Sequence, residues 1–181
     1  MRARISSVLL VVAVAACGDG RVTSVLRDPN GPDGPTLSRQ GALSVPLTGV
    51  CSIRAAEPAV VTPPFISETD VGTCEFPQLG RVAFYGKQVI NFVAHTQVAP
   101  VMVFTTSNGD ELHAQNVGSN TSTGPTTIRF TGTTTITGGT GRFANATGRL
   151  GVEGSADLVT TKARMTFRGS IAYGAAERSD R

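Results

Sequence analysis

Between Arg81 and Tyr173 apolar residues recur at every second position, and this alternation constrains the fold more than any other feature of the chain. In 81–93 the shared set is Val82, Phe84, Ile90 and Phe92, against Arg81, Lys87 and Asn91. In 126–137 it is Ile128, Phe130 and Ile136, while Thr127, Arg129, Thr131, Thr133, Thr135 and Thr137 take the other parity. Residues 149–158 offer Leu150, Val152, Ala156 and Leu158; residues 163–173 offer Ala163, Met165, Phe167, Ile171 and Tyr173. Period two marks strands with one buried face. No proline follows Pro125, so nothing interrupts the last segments. Beyond the N-terminal segment, no stretch carries a 3.6-residue apolar stripe.

Composition agrees. Apolar residues are 40% of the 181, enough for a core, and charged residues only 16%. That balance is neither a charge-rich disordered chain nor a helical bundle. Thr, Gly and Val abundance points to β structure. Antiparallel strands without helices leave a barrel or a sandwich. Glycines inside strands (Gly86, Gly132, Gly151, Gly154, Gly169) favour a barrel, where tight coiling needs missing side chains. Phe84, Phe92, Ile128, Phe130, Met165, Phe167 and Tyr173 are the candidate lining.

Two hairpins can be registered. Asn108-Gly109 predicts a two-residue turn joining 98–107 to 110–117, with Thr105 opposite Leu112 and Val103 opposite Ala114. Met102 and Phe104 then share the other face with His113. Apolar residues on both faces suggest that one outer patch is covered, for instance by a second copy of the chain. At the C-terminus, charge predicts Asp157 opposite Arg164 and Glu153 opposite Arg168, which sets Phe167 over Gly154.

The N-terminus reads as an address. Arg2 and Arg4 precede an apolar run of about twelve residues, too short to span a bilayer, which needs roughly 20. Val14-Ala15-Ala16-Cys17 resembles the bacterial lipobox. The resemblance implies cleavage after residue 16, lipidation of Cys17 and anchoring to the envelope, with Gly18 leaning towards the outer membrane. Ordinary signal cleavage near Ala16, with Cys17 incidental, is the alternative. Removing residues 1–16 lowers the net charge from +3 to +1, too little for a nucleic-acid partner. Residues 17–40, with Pro29, Pro32 and Pro35, read as a flexible tether; 41–175 is the barrel domain and 176–181 a tail.

With Cys17 lipidated, Cys51 and Cys74 remain, and in an oxidising compartment an even pair reads as a disulfide. It would close a loop of about 24 residues, worth roughly 3 kcal/mol. Pro58, Pro63 and Pro64 predict that this loop is irregular. A metal pair is the poorer reading, since no second Cys/His pair exists.

Gly138-Gly139-Thr140-Gly141-Arg142-Phe143, running on to Gly148, follows the strand Thr135-Ile136-Thr137. This motif resembles the bacterial secreted proteins related to allene oxide cyclase and dirigent proteins. The segments 108–112, 167–173 and 72–81 look like the same group, so the likeness covers roughly 45–173. Asn145 departs from it, standing where glycine is more usual. The resemblance implies an eight-stranded antiparallel barrel with a mostly apolar interior, one end of which Phe143 can plug. The plant cyclase binds a fatty-acid epoxide and dirigent proteins steer phenoxy-radical coupling. Their catalytic residues cannot be placed on this chain, so the fold is carried over and the activity is not.

Other motifs carry little. Gly139-x-Gly141-x-x-Ala144 formally matches a dinucleotide fingerprint, but no amphipathic helix follows to hold a pyrophosphate. His95 and His113 read as surface histidines, and Asp110 and Glu111 as solvent-facing turn residues. Asn120-Thr121-Ser122 and Asn145-Ala146-Thr147 match the glycosylation sequon, which a bacterial lipobox discounts. No catalytic residue, cofactor or metal ligand is assigned. The expected function is an envelope lipoprotein, noncatalytic, whose barrel binds an apolar small molecule or a partner. An isomerase or cyclase acting on an oxidised lipid or phenolic is one alternative; a solid barrel with a structural role is another. A lumen filled with side chains would speak for a scaffold, and a convergent set of buried polar groups for an enzyme.

Overall fold

A computed structural model describes residues 36–37 and 43–174 of the chain. The segment read as a signal, Cys17, most of the stretch read as a tether and the residues read as a tail lie outside the described residues. Ten antiparallel strands form one sheet: β1 Thr36–Leu37, β2 Leu43–Ala55, β3 Val60–Thr62, β4 Phe65–Phe76, β5 Gly80–Asn91, β6 Thr96–Thr105, β7 Glu111–Ser122, β8 Thr127–Gly139, β9 Thr147–Asp157 and β10 Lys162–Tyr173. From β4 to β10 each strand pairs with the next in the chain. β2 then pairs with β10 along its whole length and with β4 over Val50–Ala55, which closes an eight-stranded barrel. β1 and β3 are short additions on β2 and β4. Thr36–Leu37 thus forms a strand within the stretch read as tether.

The period-two reading holds for the interior. Val82, Phe84, Ile90, Ile128, Phe130, Ile136, Leu150, Val152, Met165, Phe167 and Ile171 are buried, and Thr131, Thr133, Thr135 and Arg168 face out. Ala163 and Tyr173 pack against the same core. Leu158 does not, because β9 ends at Asp157 and Leu158 sits exposed in the following turn.

Both predicted registers are corrected by their turns. After β6 the loop has three residues, Ser107–Gly109, rather than two. Thr106 N–H donates to the Asp110 carbonyl (2.9 Å) and Gly109 N–H to the Thr106 carbonyl (2.9 Å), with Gly109 at φ +87°. One extra residue slips the register by one and exchanges the faces. Phe104 therefore opposes Leu112 and Met102 opposes Ala114, all four inside, while Val103 and His113 face out. An outer apolar row does exist on this wall, but it is Val89, Val98 and Val117, aligned across β5, β6 and β7.

In the C-terminal hairpin, Asp157 Oδ1 accepts the N–H groups of Val159 (2.9 Å) and Thr160 (2.8 Å), so the chain turns at once. Asp157 opposes Lys162, not Arg164; Arg168 opposes Gly151, not Glu153; and Phe167 opposes Val152. The slip is two residues, so inside and outside are unchanged. The ring over Gly154 belongs to Phe130 on β8, leaving no room there for a Cβ.

Cys51 and Cys74 are disulfide-bonded, directly opposite each other on β2 and β4, with Cα atoms 3.9 Å apart. The loop they close is not irregular: most of it is β3 and β4, and its prolines fall in the turns between strands.

Candidate functional site

The lumen has two unlike halves. Towards the end bearing the 106–110 and 140–146 loops it is filled. Phe104 stands at its centre, edge-on to Phe76 (centroids 5.8 Å) and to Phe167 (5.6 Å). Leu47, Leu112, Leu150 and Ile171 close the gaps. The glycine motif seals this end. Gly141, at φ +52°, starts a single 3₁₀ turn that drops Phe143 inward, fully buried. The seal is laced to the β6–β7 hairpin: Thr140 N–H donates to the Glu111 carbonyl (2.8 Å), Glu111 N–H to Thr140 Oγ1 (2.9 Å), and Arg142 lies 3.7 Å from Asp110. Asp110 and Glu111 are therefore part of the seal rather than plain turn residues. His113 is a partly exposed neighbour of Glu111 (2.8 Å), in keeping with a surface histidine. His95 is an exposed turn residue at φ +54°.

The opposite half is hollow. A cavity of about 450 Å³ opens between the β2–β4, β5–β6 and β9–β10 connections. Of the predicted lining, Phe84, Phe92, Ile128, Phe130 and Met165 border it, with Phe92 half-buried in the turn at the mouth. Phe167 and Tyr173 do not, because they belong to the filled half.

The cavity is sided. Ile53 on β2, Ile128 and Phe130 on β8, Val152 and Ala156 on β9, and Ala163 and Met165 on β10 make an apolar wall. The polar side chains inside come from four consecutive strands: Glu68 and Asp70 on β4, Gln88 on β5, Gln97 on β6 and Asn116 on β7. Two ladder irregularities lie in this polar wall, at Lys87/Val89 and at Ala99/Met102, the second beside Pro100. Bulges break the pairing and re-aim side chains, and they admit a proline that a regular central strand would reject.

Gln88 Nε2 is the hub. It donates to Glu68 Oε1 and to Asp70 Oδ2, both at 2.7 Å. Glu68 and Asp70 are two residues apart on one strand and so share its inner face. Asp70 is buried, and desolvation, followed by the charge of Glu68, pushes its pKa up to about 7 against the opposing hydrogen bond from Gln88. Desolvation raises Glu68 as well, with Gln88 again opposing. No Lys, Arg or His among the described residues pairs with either carboxyl. Across the wall Asn116 Oδ1 accepts from buried Thr134 Oγ1 (3.1 Å), which fixes the amide. Among the described residues no three His, Cys, Asp or Glu side chains are grouped as metal ligands.

Gln88 falls on the parity of Val82, Phe84, Ile90 and Phe92, so the alternation of β5 already turned it inward. For Glu68 and Asp70 the available signal was the parity of β4 itself, Ile66-Glu68-Asp70-Gly72-Cys74-Phe76, which runs back from Cys74. Compared with known proteins, the chain matches no family model and no curated sequence.

Proposed function

We propose that the protein is an exported, lipid-anchored binding protein that holds an amphipathic small molecule in the open half of its barrel. The observation that carries this reading is the sided cavity. Its volume of about 450 Å³ falls in the usual range of small-molecule sites, and an apolar lining with a few convergent polar groups is their usual chemistry. The anchor rests on the lipobox-like Val14–Cys17 and the export address before it.

The test uses the full chain carrying Cys17→Ser, which should move from the membrane to the soluble fraction and lose its acyl mass. N-phenyl-1-naphthylamine, a neutral apolar fluorophore, should brighten on entering the lumen. Ala99→Phe places a ring in the cavity and should abolish the signal while the thermal unfolding transition stays. No brightening, or brightening that Ala99→Phe leaves intact, refutes lumen binding. A wild-type protein without acyl mass refutes the anchor. A second reading, an isomerase or cyclase, draws on the Glu68–Gln88–Asp70 group, since a carboxyl poised near neutrality can exchange protons with a bound substrate.

A further inference from the structure

On the cavity wall formed by β4–β7 the carboxyl oxygens outnumber the protein donors that reach them. Two carboxyl groups present four oxygens, and a single amide donates to two of them. Asn116 Oδ1 is already engaged by Thr134. Gln97 is an independent sign that something belongs here. It is 5% exposed, borders the cavity and makes no side-chain hydrogen bond among the described residues. Its amide opens onto the cavity, where a ligand would supply the partners that the protein does not. It brings a further carbonyl oxygen to the wall that carries the carboxyls.

Among the described residues no cation offsets these groups. The titratable side chains on the strands flanking β4 are Arg54 on β2 and Arg81, Tyr85 and Lys87 on β5, and all four are exposed. On β4 itself Glu75 is also exposed. Lys87 and Asp157 border the mouth, and neither forms an ion pair with Glu68 or Asp70. An anionic ligand head would meet like charge on this wall, and a hydroxyl would bring only one donor. A primary ammonium brings three donors and the missing charge.

From this we infer that the lumen selects cationic amphiphiles, an apolar body lying on the β8–β10 wall with a protonated amine held between Glu68, Asp70 and Gln97. The inference rests on the lumen-binding reading and names its ligand class. The ammonium would complete the hydrogen-bond set that Gln88 begins, and Gln88 would keep the two carboxyls at one spacing when the site is empty. Binding would also draw the proton off Asp70, because the ligand supplies the positive charge that the buried carboxylate lacks.

The experiment is titration calorimetry of the full Cys17→Ser chain with decylamine, decanol and decanoate, three ligands of one chain length and different heads. At pH about 8 decylamine should bind at least about tenfold more tightly than decanol, and decanoate more weakly than either. Lowering the pH to about 5.5, which protonates Asp70, should shrink the advantage of the amine, which stays protonated, and leave decanol unchanged. Glu68→Gln combined with Asp70→Asn should equalise amine and alcohol. Should that variant fail to fold, the pH series on the wild type decides alone. Decanol binding with no preference for decylamine overturns the inference and leaves lumen binding standing. Failure of all three ligands overturns both.

Discussion

Phe143 stands edge-on to Tyr173, with ring centroids 5.4 Å apart, and the two rings cap the end of the barrel away from the cavity. Arg142 lies over the Phe143 ring, 4.7 Å from its centroid, and pairs outward with Asp110. The ring is the buried element and the guanidinium half-exposed. Phe143→Ala should therefore cost about 3–5 kcal/mol, and Arg142→Ala no more than about 1 kcal/mol. Urea unfolding of both variants checks the ranking. Equal costs would mean that the seal depends on its charges rather than on its plug.

Phe167 and Arg168 are neighbours on β10 with opposite fates, one fully buried against Phe104 and Phe76, the other exposed. Phe167→Ala should remove about 3–5 kcal/mol, and Arg168→Ala well under about 1 kcal/mol. The comparison is a pair of denaturant melts. A more damaging Arg168→Ala would reverse the inside–outside assignment of the strand.

The pH dependence of stability follows from Asp70. Its carboxyl goes from the ordinary value of 3.8 to about 7 on folding. Between those values the folded chain holds a proton that the unfolded chain has released, so stability falls as pH rises through this window. The cost is absent below the lower value and complete above the upper one. It amounts to at most about 4 kcal/mol, and Glu68, shifted the same way, adds to it. Wild type should be more stable at pH about 5 than at about 8, and Asp70→Asn should lose most of that slope. Melts at the two pH values measure it, and equal slopes in both proteins would remove Asp70 as the cause.

The Cys51–Cys74 bond crosses the β2–β4 seam, the shortest ladder that closes the barrel. Replacing both residues with alanine should cost about 3 kcal/mol. The far-UV spectrum should remain that of a β protein, since β2 is still held by β10 along its full length. Denaturation midpoints of the variant and the parent give the figure.

The fold was legible in the sequence where one face is apolar. The inner residues of β5, β8, β9 and β10 alternate with threonine and arginine, and no helix competes for them. Registers were less legible, because period two is blind to how many residues a turn consumes. Asn108-Gly109 marks a turn but not its length, which Thr106 and Asp110 decide by closing the loop on three residues. Asp157 invites pairing with a charged partner across the strands, yet its oxygen is taken by the turn that follows. The candidate site was hidden for a deeper reason. Gln88 shares the inner parity of Phe84 and Ile90, but for Glu68, Asp70, Gln97 and Asn116 a polar residue facing a cavity looks, in sequence, the same as one facing water. Pro58, Pro63 and Pro64 added to this by marking 58–64 as loop and drawing the following strand into it.

β2 begins at Leu43 opposite Tyr173, the last residue of β10, at the end that Phe143 seals. The chain thus enters and leaves the barrel through the same floor. A lipid on Cys17 would then hold the barrel by its closed end, like a cup on a string tied to its foot. The strand nearest the anchor would enter at the end opposite the rim and leave the mouth of the cavity clear for cargo.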